Sequence, residues 1–441
     1  MTTDNPGQDR DGSPRYAELR NLLRGSAFIF GCRIGGAIAT FLTQVLLARW
    51  MGATELGFYV LAFAWCLLLS TLAAVGLQVG AIRFVGVAVE RNEPEVIRGF
   101  VYRAGQITLG FGSLLAAGGI VVLLSFEQLV SDGVLMPLCF GLLAVPLLGL
   151  ISLLTGISNG FSSLVLSFFP SNVIRPLIFL GFCSLAWLSS DSLAASDVML
   201  LQLLAITSVC LYMVWGVRRL LARRVPGKAA TYDTRHWLRS SAPLVGAALF
   251  SGYFPEFVLI VAGGLLSPAE IAILHVSFRV ALLISFGLFA IDAYVGPKIA
   301  QLAAAGDTQG LQRIAVSATR LRTWPAIAAV IVLFFAGRPI LGLFGPDFAA
   351  GFPALMILAS SQLVLAAFGP TTRLLSVTGH QDRLLPVFGV ALLVLVILAF
   401  FLVPLYGVVG AAMAVLIDTF MWSAWMRLIV VQELGVRPSP F

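Results

Sequence analysis

The sequence predicts an all-α integral membrane protein. About twelve transmembrane helices form two six-helix bundles, related by a pseudo-two-fold axis along the membrane normal, with both termini cytoplasmic. Three observations carry this. Of 441 residues, 59% are hydrophobic and only 11% charged, where a soluble domain carries about 25% charged. About twelve apolar runs reach the roughly 18 residues that mark a membrane crossing. The loop cations crowd onto one side of those runs, as the positive-inside rule requires.

In chain order, the polar stretch 1–24 reads as a disordered arm ending in an amphipathic turn. It lacks the early apolar core of a signal peptide. Runs at 25–48, 56–82, 104–126, 133–156, 172–189 and 197–217 build the first bundle, 25–217. The basic connector 218–240, with its Pro-Gly break, leads into 241–264, 269–295, 323–344, 350–370, 384–404 and 407–430. These form the second bundle, 241–430, and a short tail, 431–441, follows. Long unbroken apolar runs are helices; a barrel needs short alternating segments.

The net charge of +7 raises the question of nucleic acid. Only Arg49 and Arg338 are loop cations on the outer side, so the charge reports topology, and no nucleic-acid partner is expected. Cys32, Cys66, Cys139, Cys183 and Cys210 all fall inside runs without a CxxC pair, which reads as apolar packing rather than metal chemistry. The outer links near 127–132, 190–196, 265–268 and 405–406 are too short for a catalytic loop, which argues against an enzyme.

Sliding the chain by 215 residues superimposes its halves. CLLLS (66–70) falls on ALLIS (281–285), Glu55 on Glu270, Arg83 on Lys298, Asn92 on Asp307 and Arg98 on Arg313. Each half thus has two crossings joined by an outer turn with a Glu, then a basic residue, then an amphipathic cytoplasmic helix. Six crossings per half give parallel repeats, an architecture suited to alternating access.

A charge at mid-membrane costs about 2.5–3.5 kcal/mol on insertion scales, so such residues face protein or a wet cavity. The central candidates are Arg33, Glu256, His275, Arg279 and Asp418, with Asp292 and Arg175 nearer the cytoplasmic ends. At about 100° per residue, Thr40 and Gln44 share a face with Arg33. His275 and Arg279 share another, and Asp418 lies with Trp422 and Trp425. Pro255 beside Glu256 marks a kink that frees a carbonyl. Bland readings stand beside these: an Arg33–Glu256 structural bridge, a packed His275, tryptophans serving as packing, and an Arg175 that reaches to inner headgroups.

Three stretches carry a family resemblance. FLTQVLLARWMGATELGFYVLAFAW with GLQVGAIRFVG, LSPAEIAILHVSFRVALLISF with YVGPKIAQLAAAGD, and ALMILASSQLVLAAFGPTTRLLSVTGHQDRLL cover about a third of the chain. They resemble the bacterial polysaccharide transporter family, the Wzx-type O-antigen or lipid-linked oligosaccharide flippases of the multidrug/oligosaccharidyl-lipid/polysaccharide exporter superfamily. The resemblance implies a cavity between bundles and a polyprenyl-pyrophosphate-linked sugar moved from the cytoplasmic to the periplasmic leaflet of a bacterial inner membrane.

Arg33 and Arg279 are the cavity cations this sequence offers for a pyrophosphate, with Thr40, Gln44, Tyr253, Trp422 and Trp425 for the sugars. Glu256, His275, Asp418 and Asp292 are candidates to couple a proton or sodium gradient. No cofactor or metal is expected. The expected partners are the bilayer, the sugar lipid and polysaccharide polymerase and export machinery, around a monomer. A cation-coupled multidrug exporter and a non-transporting scaffold for polysaccharide assembly are the alternatives.

Overall fold

A computed structural model describes residues 14–126, 132–189, 192–225, 227 and 229–439. Residues 1–13 of the expected arm lie outside the described residues, and 14–24 continue the first helix rather than forming a separate turn. The elements are helical throughout. The first half holds α1 (Pro14–Ala73), α2 (Leu77–Glu90), α3 (Pro94–Ser125), α4 (Asp132–Gly160), α5 (Leu164–Phe169), a π-helical turn (Pro170–Ile174), α6 (Arg175–Ser189) and α7 (Ala195–Arg224). After α8 (Thr234–Ser241) come α9 (Leu244–Gly263), α10 (Pro268–Ala281), α11 (Leu283–Ala304), α12 (Thr308–Gly342), α13 (Phe352–Ala367), α14 (Thr371–Val377) and α15 (Leu384–Leu434).

Among the described residues nine helices are long and apolar enough to cross a membrane, or ten with the bent α9. The chain is therefore a multi-pass membrane protein. Two of the nine contain a break. Gly52 (φ 76) interrupts α1 and Gly407 (φ 56) interrupts α15. Positive φ is the conformation glycine adopts without a Cβ penalty. A straight helix of 60 residues would span about 90 Å, three times a hydrocarbon core of about 30 Å.

The 215-residue slide holds at the level of element ends, well past where the sequence similarity fades. Gly52 falls on Ser267, the cap of α10, and Glu90 on Ala305, the residue after α11. Pro94, which opens α3, falls on Gln309 in the first turn of α12; Gly407 falls on Ser192, just before α7. The paired glutamates both work as caps. Glu55 accepts from the Ala195 amide at 2.7 Å, and Glu270 accepts from the Ser267 amide at 2.9 Å.

The expected amphipathic helices are corners instead. The first contains the end of α2, a turn at Asn92 (φ 54) and the start of α3. The second turns at Gly306 (φ 67) between α11 and α12. A residue in the left-handed region ends a helix, and helical periodicity on both sides hides it.

The connector is tied to the first half. The Thr231 amide donates to the Glu95 carbonyl at 3.0 Å, Arg98 donates to the Val225 carbonyl, and Trp237 packs edge-on against Phe100. The C-terminal residues are tied to the second half by Gln312, whose amide exchanges two hydrogen bonds with the Arg437 backbone at 2.7 and 3.0 Å. The halves meet near the connector, where Gly76 lies against the Ser241 carbonyl, and again at the opposite end. There Arg49 donates to the Leu343 carbonyl at 2.6 Å, and Gly57 lies against the Pro268 carbonyl, with no room for a Cβ.

Candidate functional site

A hollow of about 620 Å³ lies between the two halves, walled by α1, α2, α4, the π turn, α6 and α7 on one side and by α9 and α10 on the other. Its most unusual local feature is the π turn that precedes Arg175. Pro176 has no N–H to give the Asn172 carbonyl, and the Arg175 amide reaches back to the Pro170 carbonyl instead. The released Asn172 carbonyl faces Gly36 of α1, where a Cβ would sit 2.0 Å from it. Glycine at 36 thus allows α1 to close onto the turn, and the turn directs Arg175 into the hollow.

Opposite stand Glu256 and Arg279. The Arg279 guanidinium donates to Glu256 Oε1 at 3.1 Å, with the side chains 31% and 9% exposed respectively. The kink predicted at Pro255 is centred on Tyr253 (φ −135, ψ 24), and Tyr253 and Glu256 both line the hollow. His275, one helical turn before Arg279, is 7% exposed and also lines the hollow. Tyr59 lies within electrostatic reach of both Arg175 and Arg279 and donates to Gln202 at 3.5 Å.

Of the residues predicted from sequence, Thr40, Gln44, Tyr253, Glu256, His275 and Arg279 reach the hollow. Five do not. Arg33 is exposed, outside the lining, and does not bridge to Glu256, which is held by Arg279. Its phase matches Thr40, yet Arg33 is exposed where Thr40 lines the hollow. Trp422 and Trp425 pack in a second-half core, with Trp422 edge-on to Phe250 at 5.8 Å. Asp292 is bridged at 2.9 Å to Arg322, itself 4% exposed, away from the hollow. Asp418 is fully buried in α15, and neither carboxyl oxygen has a hydrogen-bond partner among the described residues.

Arg175, expected to reach toward inner headgroups, faces the hollow instead, because a π turn leaves no trace in hydrophobic periodicity. A second omission had a signal. Ser152, Thr155 and Asn159 recur at i, i+3 and i+7 of α4, one helical face, and all three line the hollow.

Residues 22–302, more than half of the chain, match the polysaccharide biosynthesis protein family. The chain belongs to that family. Among curated proteins none matches this family member by sequence. Its fold is similar to an inward-facing multidrug resistance MATE family transporter of the MOP superfamily. That match has a TM-score of 0.78 at 13% identity, over 91% of this chain and 94% of that one. It is similar to the lipid II flippase MurJ in an inward closed conformation, with a TM-score of 0.72 at 14% identity, over 93% and 89%. An outward-facing MATE family transporter gives 0.60 at 13% identity, over 92% and 96%. These structural neighbours are transporters and a flippase.

Proposed function

We propose that this protein is a flippase that carries a polyprenyl-pyrophosphate-linked oligosaccharide from the cytoplasmic to the periplasmic leaflet of a bacterial inner membrane by alternating access. The observation that carries the reading is the hollow itself: two guanidiniums, Arg175 and Arg279, one from each half, the latter paired with Glu256, among uncharged hydrogen-bonding side chains. A planar guanidinium makes paired bonds to phosphate oxygens. Amides, hydroxyls and aromatic faces suit sugars. Moving two negative charges outward across an inside-negative potential is favourable by about 4–5 kcal/mol per 100 mV.

Counting α1 and α15 as two crossings each and α9 as one brings the nine candidate spans to twelve. That supports two six-helix bundles, 25–217 and 241–430, with the connector and both termini in the cytoplasm. The higher similarity to an inward-facing than to an outward-facing relative supports an inward-open state. A wholly apolar groove between α1 and α11, bounded by Ile34, Ile38 and Phe286, suits a lipid tail left in the bilayer. Glu256 and His275 inside the hollow and Asp418 outside it are the groups proposed to couple a proton or sodium ion.

The multidrug exporter reading is disfavoured by the two guanidiniums, which repel cationic drugs. The test is reconstitution in liposomes with a polyprenyl-pyrophosphate glycan. Protein-dependent exposure of headgroups to an impermeant reagent is expected. No gain over protein-free vesicles, in an assay where a working flippase scores, overturns the reading.

A further inference from the structure

We infer that the hollow selects uncharged glycans: hexoses and acetamido sugars, without uronate, phosphate or free amine. This rests on the flippase reading and names the chemical class of its headgroup.

The argument is the distribution of charge along the lining. Arg175, which opens α6 after the π turn, shares the hollow with Glu256 of α9 and His275 and Arg279 of α10. Between them and the connector end, the wall is made by α2, α4 and the π turn. Its polar groups there are Gln78, Ser152, Thr155, Asn159 and Ser171, with no carboxylate or cation among the described lining residues. Two of these have buried atoms without a partner: Gln78 Oε1 and Ser171 Oγ. A buried polar atom left unpaired is costly, and sugar hydroxyls both donate and accept. At the other end of the hollow, two residues from the Gly57–Pro268 contact, Tyr59 lies with its ring nearly parallel to those of Phe63 and Phe179, at interplanar angles of 7° and 19°.

With the phosphates held at Arg175 and Arg279, the sugars extend toward this uncharged end. A carboxylate on one of them loses water there and meets no cation, the arrangement that penalises a charge most. A free amine meets no carboxylate. The wall therefore discriminates by leaving charges unpaired as well as by contacting hydroxyls. The volume, about 620 Å³, is that of a site for one compact headgroup.

The test compares two polyprenyl-pyrophosphate trisaccharides in liposomes: all-glucose, and the same with its terminal glucose replaced by glucuronate. Impermeant periodate added outside reads exposure of either headgroup. The glucose lipid is expected to be exposed at least tenfold faster. Asn159→Lys and, independently, Gln78→Lys add a cation to this end and are expected to narrow the ratio. A variant whose thermal unfolding is no longer cooperative is set aside, and the wild-type ratio alone then decides. Glucuronate lipid moving as fast as glucose lipid, or faster, overturns the selection and leaves the flippase reading standing. Movement of neither above protein-free vesicles overturns both.

Discussion

The two walls of the hollow are built from related frames and do opposite chemistry. The first-half wall offers amides and hydroxyls around one cation, Arg175. The second-half wall offers Glu256, His275 and Arg279 within two short helices. The 215-residue slide places Phe41 opposite Glu256, Val60 opposite His275 and Ala64 opposite Arg279. None of the three charged or titratable groups has a polar counterpart. On this shared frame one wall carries mainly neutral hydrogen-bonding groups and the other carries the charged ones. The buried Arg322–Asp292 pair and the unpartnered Asp418 also lie in the second half, outside the hollow.

The largest effect is expected at the exception, the single cation on the neutral wall. A hydrogen bond to a charged group is worth about 1.5–3 kcal/mol, so Arg175→Ala should slow headgroup exposure in liposomes by about ten- to a hundredfold. Arg175→Lys should recover only part of this, since an ammonium lacks the guanidinium fork. Full activity in Arg175→Ala would leave the charge work wholly to the second half.

Next comes the contact that positions that cation. Gly36→Ala places a Cβ against the Asn172 carbonyl, and overpacking of this kind costs about 1–3 kcal/mol. Lower thermal stability and slower transport are expected together. Gly35→Ala, with open space around its Cβ, is the matched control and should change neither.

On the charged wall, Glu256→Gln removes the partner that holds Arg279. The variant should bind a polyprenyl pyrophosphate more tightly, by about tenfold on the same scale, and turn over more slowly because release is impeded. Fluorescence titration and the periodate assay separate the two. Unchanged binding would mean that Arg279 serves the protein rather than the ligand.

The smallest effects belong to residues outside both walls. Arg33→Gln and Trp425→Phe should each alter transport by less than about twofold, in keeping with ordinary substitutions away from a site. A large loss in Arg33→Gln would show that the α1–α11 groove, and not the hollow alone, takes part in recognition.

By itself, the sequence determined the membrane class, the run of apolar helices, the repeat and its register, and six of the residues that line the hollow. These follow from composition, hydrophobic run length and local periodicity, which a chain carries wherever it folds. Which charges share one space was decided by tertiary structure alone. Periodicity gives the phase of a side chain about its own helix axis, but not what stands opposite at the same depth. Arg33 has the phase and yet lies outside the lining. Arg175 gains its place from a π turn and from a glycine far away in the chain. Glu256 lies within reach of Arg279 because α9 bends at Tyr253 and packs beside α10.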